Sequence, residues 1–247
     1  MSWTGIAMFA ALAIGAPIGM ALYGSYGLEV AMISCMVAPL VAAAIGISAT
    51  SYTSTSGLRL PFYRVVGQIW REGLGLMLQG VGLSGLTAFA SLYFAAHGWG
   101  HAGLVMTAFG AGCIFVRVAL GSLPYKIGGY RVAFWSLVTE AIGQIMVWGA
   151  PNEIVPLAGA FVMGLGCALV FPALRVEALK RVLPANRGSA MGAFIAFLDI
   201  AYGFAGPAAG LIAGGFGYAA VYLLGAVLGA LLVVTARSPE ATSRLDG

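Results

Sequence analysis

Residues 109–140 read FGAGCIFVRVALGSLPYKIGGYRVAFWSLVTE. Two apolar runs flank GSLPYKIGGYR (121–131), a short glycine-bearing turn that carries two positive charges. Each run also holds an ionisable residue, Arg117 in the first and Glu140 in the second. About 20 mostly apolar residues cross a bilayer as one helix, and a short basic turn between two such runs makes them antiparallel spans. Runs of this kind recur along the chain at 3–23, 29–48, 73–96, 102–123, 131–150, 153–174, 188–214 and 217–236. The fold class is therefore all-α, a polytopic membrane protein with eight transmembrane helices. The short connections predict that sequential helices are antiparallel neighbours. GSYG (24–27), HGWGH (97–101) and GGFGY (214–218) read as tight turns on the opposite face from the basic one.

Composition excludes a water-soluble protein. Of 247 residues 61% are hydrophobic and 8% charged, and mean hydropathy is +0.97, whereas soluble domains carry roughly 25% charged residues. The 37 glycines suit closely packed membrane helices. Eleven of the twelve Lys and Arg lie in alternate connections or after the last run: Arg59, Arg64 and Arg71; Lys126 and Arg131; Arg175, Lys180, Arg181 and Arg187; Arg237 and Arg244. The twelfth is Arg117. By the positive-inside rule these connections and both termini are cytoplasmic. No basic connection has the length and aromatic interleaving of a nucleic-acid binder. Cys35, Cys113 and Cys167 fall in apolar runs and read as buried small residues. His97 and His101 flank a glycine turn with no third ligand near in sequence, so no metal is expected, and no nucleotide-binding motif or other cofactor signature occurs. Enzymatic chemistry is not expected.

The long connection at 49–71 is rich in Ser and Thr, then basic and amphipathic. With Phe62 and Trp70 it is expected to lie along the inner membrane surface. It divides the chain into 1–48, a 49–71 cytoplasmic linker, and 72–247. The two flanking parts are related. A shift of 191 residues places Gly15 on Gly206, Gly19 on Gly210 and Gly24 on Gly215, and Pro17 lies one position from matching Pro207. GAPIG (15–19) and GPAAG (206–210) both have the small-xxx-small spacing that lets helices approach closely. Helices one and two then correspond to helices seven and eight, as in two related half-bundles.

These features resemble the major facilitator superfamily. GSLPYKIGGYR resembles its cytoplasmic loop signature at Gly121, Lys126, Gly128 and Arg131, with Tyr125 where the signature has aspartate. AIGAPIGMALYG (13–24) resembles the glycine–proline motif of the family's fifth helix, and FPALRVEALKRVLPANRGSAMG (171–192) the loop before its eleventh. SWTGIAMFAALAIGAPIG (2–19), GCALVFPAL (166–174) and FLDIAYGFAGPAAGL (197–211) resemble the YhhS-type bacterial permeases, a group labelled as sugar or drug efflux. The resemblance implies a multi-pass protein of the bacterial inner membrane that moves a small organic solute, with protons as the coupling partner. It implies twelve helices in two halves with a site at midplane between them. Residues 1–48 would be the last two helices of the N-terminal half and 72–247 the six-helix C-terminal half. Four helices would then be missing from an N-terminal segment. A non-transporting membrane scaffold or a pseudogene product is the alternative.

Ionisable residues inside spans are expensive and mark functional positions. Arg117 lies ~9 Å and Glu140 ~13 Å from the cytoplasmic end of their helices at 1.5 Å per residue. They are thus expected to pair, either as a static clamp or as a pair that breaks during transport, with Glu140 as a proton carrier the further option. Gln144 follows Glu140 by one turn and can add hydrogen bonds. Asp199 lies ~16 Å deep, near midplane, and suits proton or substrate coupling, with pairing to a helix elsewhere in the bundle or a lipid-facing position as the alternatives. Gln79 is a candidate at the expected cavity. Phe89, Tyr93, Trp99, Trp135 and Trp148 read more readily as packing or interface aromatics.

Overall fold

The computed structural model describes residues 2–46 and 60–236, and among them every regular element is a helix. The chain forms α1 (Ser2–Gly46), α2 (Phe62–Ala96), α3 (Gly103–Leu120), the short α4 (Leu123–Ile127), α5 (Gly129–Trp148), α6 (Ile154–Lys180), α7 (Arg187–Phe216) and α8 (Tyr218–Ala236). A 3₁₀ turn, Pro184–Asn186, leads into α7. Helices cover all eight predicted runs, with α1 carrying the first two. Length and apolarity alone mark α2, α3, α6 and α7 as membrane-crossing, with the bent α1 as a fifth. α5 has the length, but Glu140 and Gln144 lower its apolarity, and both are buried inside the bundle.

Three connections differ from expectation. α1 is one helix with a break at Gly27, whose φ of 79° is a conformation that favours glycine. Its two arms meet at 96°, so GSYG makes a bend and not a hairpin. The other two glycine turns hold. Gly98 (φ 67°) follows α2 and Gly217 (φ 82°) separates α7 from α8. Residues 62–71, expected to lie along the membrane surface, are instead the first turns of α2. Val65 and Ile69 on this extension are fully buried, while Tyr63 and Trp70 are exposed. The rest of the predicted connection, 47–59, lies outside the described residues, as do Arg237 and Arg244.

The packing order also departs from sequence order. α6 packs against both α3 and α5, which make no comparable contact with each other. α2 packs on α7 and α8, α5 on α8, and the first arm of α1 on α3. Glycine explains why α6 is central. A Cβ at Gly164 would collide with the Phe109 carbonyl of α3, and one at Gly112 with the Phe161 carbonyl of α6. On the other side Gly143 and Gly159 oppose each other, each Cβ falling 2.6 and 2.8 Å from the other's carbonyl oxygen. Only hydrogen fits at these crossings. α7 carries a buried alanine stripe, Ala201, Ala205 and Ala209, spaced one helical turn apart, and Ala201 meets α2 at Gly80. The packing glycines expected from the repeat behave differently. At Gly15, Gly19, Gly206 and Gly210 nothing lies within 4 Å of an added Cβ.

Candidate functional site

The apolar interior contains a knot of polar side chains. Gln79 (α2), Glu140 and Gln144 (α5) are all buried, as are Cys113 (α3) and Cys167 (α6). The Gln79 amide Nε2 donates to Glu140 Oε2 at 3.4 Å and to Cys167 Sγ at 3.1 Å. Gln144 is wedged between two glycines. A Cβ on Gly82 of α2 would lie 2.6 Å from its Nε2, and one on Gly225 of α8 would collide with its Oε1. Three of the five residues expected to carry function, Gln79, Glu140 and Gln144, are thus brought together. A small cavity of about 10 Å³ adjoins them, walled also by Leu137 and Gly229.

Arg117 and Glu140 do not form the expected ion pair. Ion pairs join Glu72 to Arg181 and Glu177 to Lys180, and Glu140 is held by the Gln79 amide. The physical reason is that α6 stands between α3 and α5. Arg117 lies within electrostatic reach of Cys113 and Cys167 on the α3–α6 side. Asp199 is exposed on α7 and stands apart from the knot. Tyr202, one turn further along, lies within electrostatic reach of both Glu140 and Asp199.

Two further carboxylates, Glu72 and Glu177, organise the end of the bundle where the basic connections meet. Glu72, at the base of α2, has no exposed side-chain surface and bonds Arg181 Nε at 2.9 Å. The Tyr130 hydroxyl donates to the same carboxylate oxygen and accepts from Arg181 Nη2 at 2.9 Å. The Tyr130 bond raises the Arg181 pKa, partial burial opposes that, and the Glu72 charge adds to it. Glu177 of α6 accepts from the backbone N–H of Gly129 at 2.7 Å and from Lys180 Nζ at 2.8 Å. A carboxylate from a neighbouring helix thereby satisfies a free amide at the start of α5.

The signature-like turn is built around this contact. Gly128 has φ 95°, and a Cβ at Gly129 would collide with Ala173 and Glu177. Lys126 and Arg131 are exposed, and Gly121 caps α3 through its N–H to the Arg117 carbonyl at 3.1 Å. Glu177 and Lys180 share a helix face at i,i+3, a signal readable in sequence. The Glu72–Tyr130–Arg181 group joins three separate helices, and no local pattern announces it.

At the other end Tyr93, Phe94, His97, Trp99 and Tyr222 form an aromatic cluster, with His97 stacked on Trp99 at 4.5 Å. The buried Tyr93 hydroxyl donates to the Val147 carbonyl at 2.8 Å, so Tyr93 and Trp99 pack the bundle, while Trp135 and Trp148 are exposed. Phe89 sits 6.2 Å from Tyr218. Cys35 is exposed, contrary to expectation; Cys113 and Cys167 are buried. Among the described residues no three His, Cys, Asp or Glu side chains are grouped to hold a metal.

Apolar helices of membrane length around a buried polar knot define a polytopic membrane protein of all-α class. Residues 73–245 match the Major Facilitator Superfamily, and the chain belongs to that superfamily of transporters. It is 43% identical to an uncharacterized MFS-type transporter of Salmonella typhimurium, over 94% of this chain and 61% of that protein. It is 41% identical to uncharacterized MFS-type transporters of Burkholderia mallei and Burkholderia pseudomallei, over 93% of this chain and 56% of theirs. The chain thus spans about three-fifths of the curated relatives it matches.

Proposed function

We propose that the chain is part of a secondary active transporter that exports a small organic solute, such as a sugar or drug, in exchange for protons across a bacterial inner membrane. The observation that carries the proton coupling is Glu140: a carboxyl buried in the bundle, with an amide as its hydrogen-bond partner. An ionisable group held inside a span by an amide marks a functional position, and a change in its surroundings can release or reload its proton. Asp199 on the exposed side of α7 is the second coupling or substrate residue in this reading, and Arg117, Gln79 and Gln144 tune the pair.

The YhhS-type assignment and the division into 1–48, a 49–71 linker and 72–247 belong to the same proposal, as do cytoplasmic termini. The relatives are longer than this chain, and a segment supplying four further helices is part of the same proposal. Internal repetition supports two halves: Gly27 breaks α1 ten residues after Pro17, and Gly217 ends α7 ten residues after Pro207.

Proteoliposome flux tests the reading. The chain, alone and joined to the N-terminal part of the Salmonella relative, is loaded with a panel of sugars and amphipathic drugs under a pH gradient. The expected result is gradient-driven flux with the joined protein, abolished by Asp199→Asn and by Glu140→Gln. Flux that ignores the gradient, or survives both substitutions, contradicts proton coupling.

A further inference from the structure

The cavity beside Glu140 has a composition that points to a specific occupant. Its volume of about 10 Å³ is close to the least that holds one water molecule. Three lining side chains are polar: Gln144, only 2% exposed, whose Oε1 has no hydrogen-bond partner, Glu140, 3% exposed, and the buried Gln79. Buried water occupies such places because it satisfies polar atoms that the protein leaves unbonded. A monovalent metal ion fits poorly. Carbonyl oxygens in the surrounding helices are engaged in their own ladders, leaving too few oxygens to replace a hydration shell.

We propose that Glu140, Gln144 and Gln79 hold one water molecule between α5, α2 and α8, and that Glu140 releases and reloads its proton through it. The proposal rests on Glu140 being the proton-carrying acid. In the release step the carboxyl O–H bond breaks and the water takes the proton as hydronium. The charge left on the carboxylate is stabilised by the Gln79 N–H, which already reaches Glu140 Oε2. Gln144 accepts from the water and fixes its orientation, so it is a positioning residue. The groups that face Glu140 electrostatically are Cys113 on α3, Cys167 on α6 and Tyr202 on α7, with Arg117 beyond the cysteines. α2 and α8 present to the cavity only Leu78, Gln79 and glycines, which do not titrate.

Gly229 supplies a clean test. A Cβ there would meet Ala141 at 3.6 Å and the Leu137 carbonyl at 3.8 Å, ordinary contacts, so Gly229→Ala adds a methyl group to the cavity wall without forcing a shift. Infrared spectra of the full chain in lipid nanodiscs are recorded across a pH titration after transfer to D₂O. The protonated carboxyl band that disappears in Glu140→Gln is followed. In the wild type this band shifts promptly on deuteration. In Gly229→Ala and in Gln144→Leu the shift is slowed by about tenfold or more, because the water is displaced or loses its acceptor. Thermal melting confirms that Gly229→Ala folds as the wild type does. Wild-type exchange in Gly229→Ala, or absence of any band that depends on Glu140, overturns the proposal. Loss of gradient-driven flux with exchange intact would instead count against the transport reading alone.

Discussion

Glu140 and Asp199 are both carboxylates set in apolar helices, yet their surroundings are opposite. Glu140 sits among α2, α6 and α8, hydrogen-bonded and buried. Asp199 lies on a side of α7 that no described helix covers. The glycines divide the same way. Around α6 the hydrogen of each glycine touches a neighbouring backbone, whereas at Gly206 and Gly210 the space is open. In the apolar window of α7 17% of residues are buried, against 56% in α2 and α6. Small residues in membrane helices therefore do two things in this one chain. Some permit close crossing, and others leave a surface smooth. Spacing alone does not separate them, because the glycines of GAPIG and GPAAG have the crossing pattern and yet face open space: α1 meets α3 through Pro17 and Met20, not through Gly15 or Gly19.

The comparison can be broken most sharply at the closed crossings. Gly164→Ala places a methyl against the Phe109 backbone, and overpacking of this kind costs about 3 kcal/mol, the upper part of the usual range, since neither helix backbone can yield. A thermal or denaturant melt in detergent should show that loss; an unchanged midpoint would mean that α3 and α6 are not in close contact. The next effect belongs to the charged end. Arg181→Ala strips the cation from a fully buried Glu72 and should cost about 2 kcal/mol, less than a wholly buried pair because Arg181 is partly exposed. Removing both charges with Glu72→Gln and Arg181→Ala should recover most of that loss in the same melt. The smallest effect is expected on the open side. Gly206→Ala and Gly210→Ala should be neutral or stabilising by up to about 1 kcal/mol, since alanine favours the helix and meets nothing. A large destabilisation at either would show that α7 is covered there.

Much of this was legible in the sequence, for physical reasons. Hydrophobic run length located every long helix, because a span must satisfy its backbone internally, though it missed the short α4 and divided the kinked α1 in two. Glycine turns located the breaks after α2 and α7, where a positive φ is needed. Gln79, Glu140 and Gln144 stood out because polar residues are costly in apolar runs. What sequence order could not supply was the lateral arrangement. Short connections suggested that α3 and α5 touch, and so that Arg117 meets Glu140. The glycines of α6, with backbone-sized neighbours on two sides, draw it between them instead. Glu72, Tyr130 and Arg181 escaped notice for the same reason, since three distant residues meet only after the helices are placed.

Under the function proposed above, the open side of α7, carrying Asp199, borders a watery solute path, while the Glu140 knot admits nothing larger than water. Thiol accessibility tests it directly. In a chain with Cys35, Cys113 and Cys167 replaced, single cysteines are introduced as Asp199→Cys, Gly203→Cys and Gln144→Cys, and the protein in lipid vesicles, joined to the N-terminal part of the Salmonella relative, is treated with a charged thiol reagent. Labelling at 199 and 203 with protection at 144 is the predicted result. Protection at 199 and 203, as for a lipid-facing surface, or equal labelling at all three, would contradict the account.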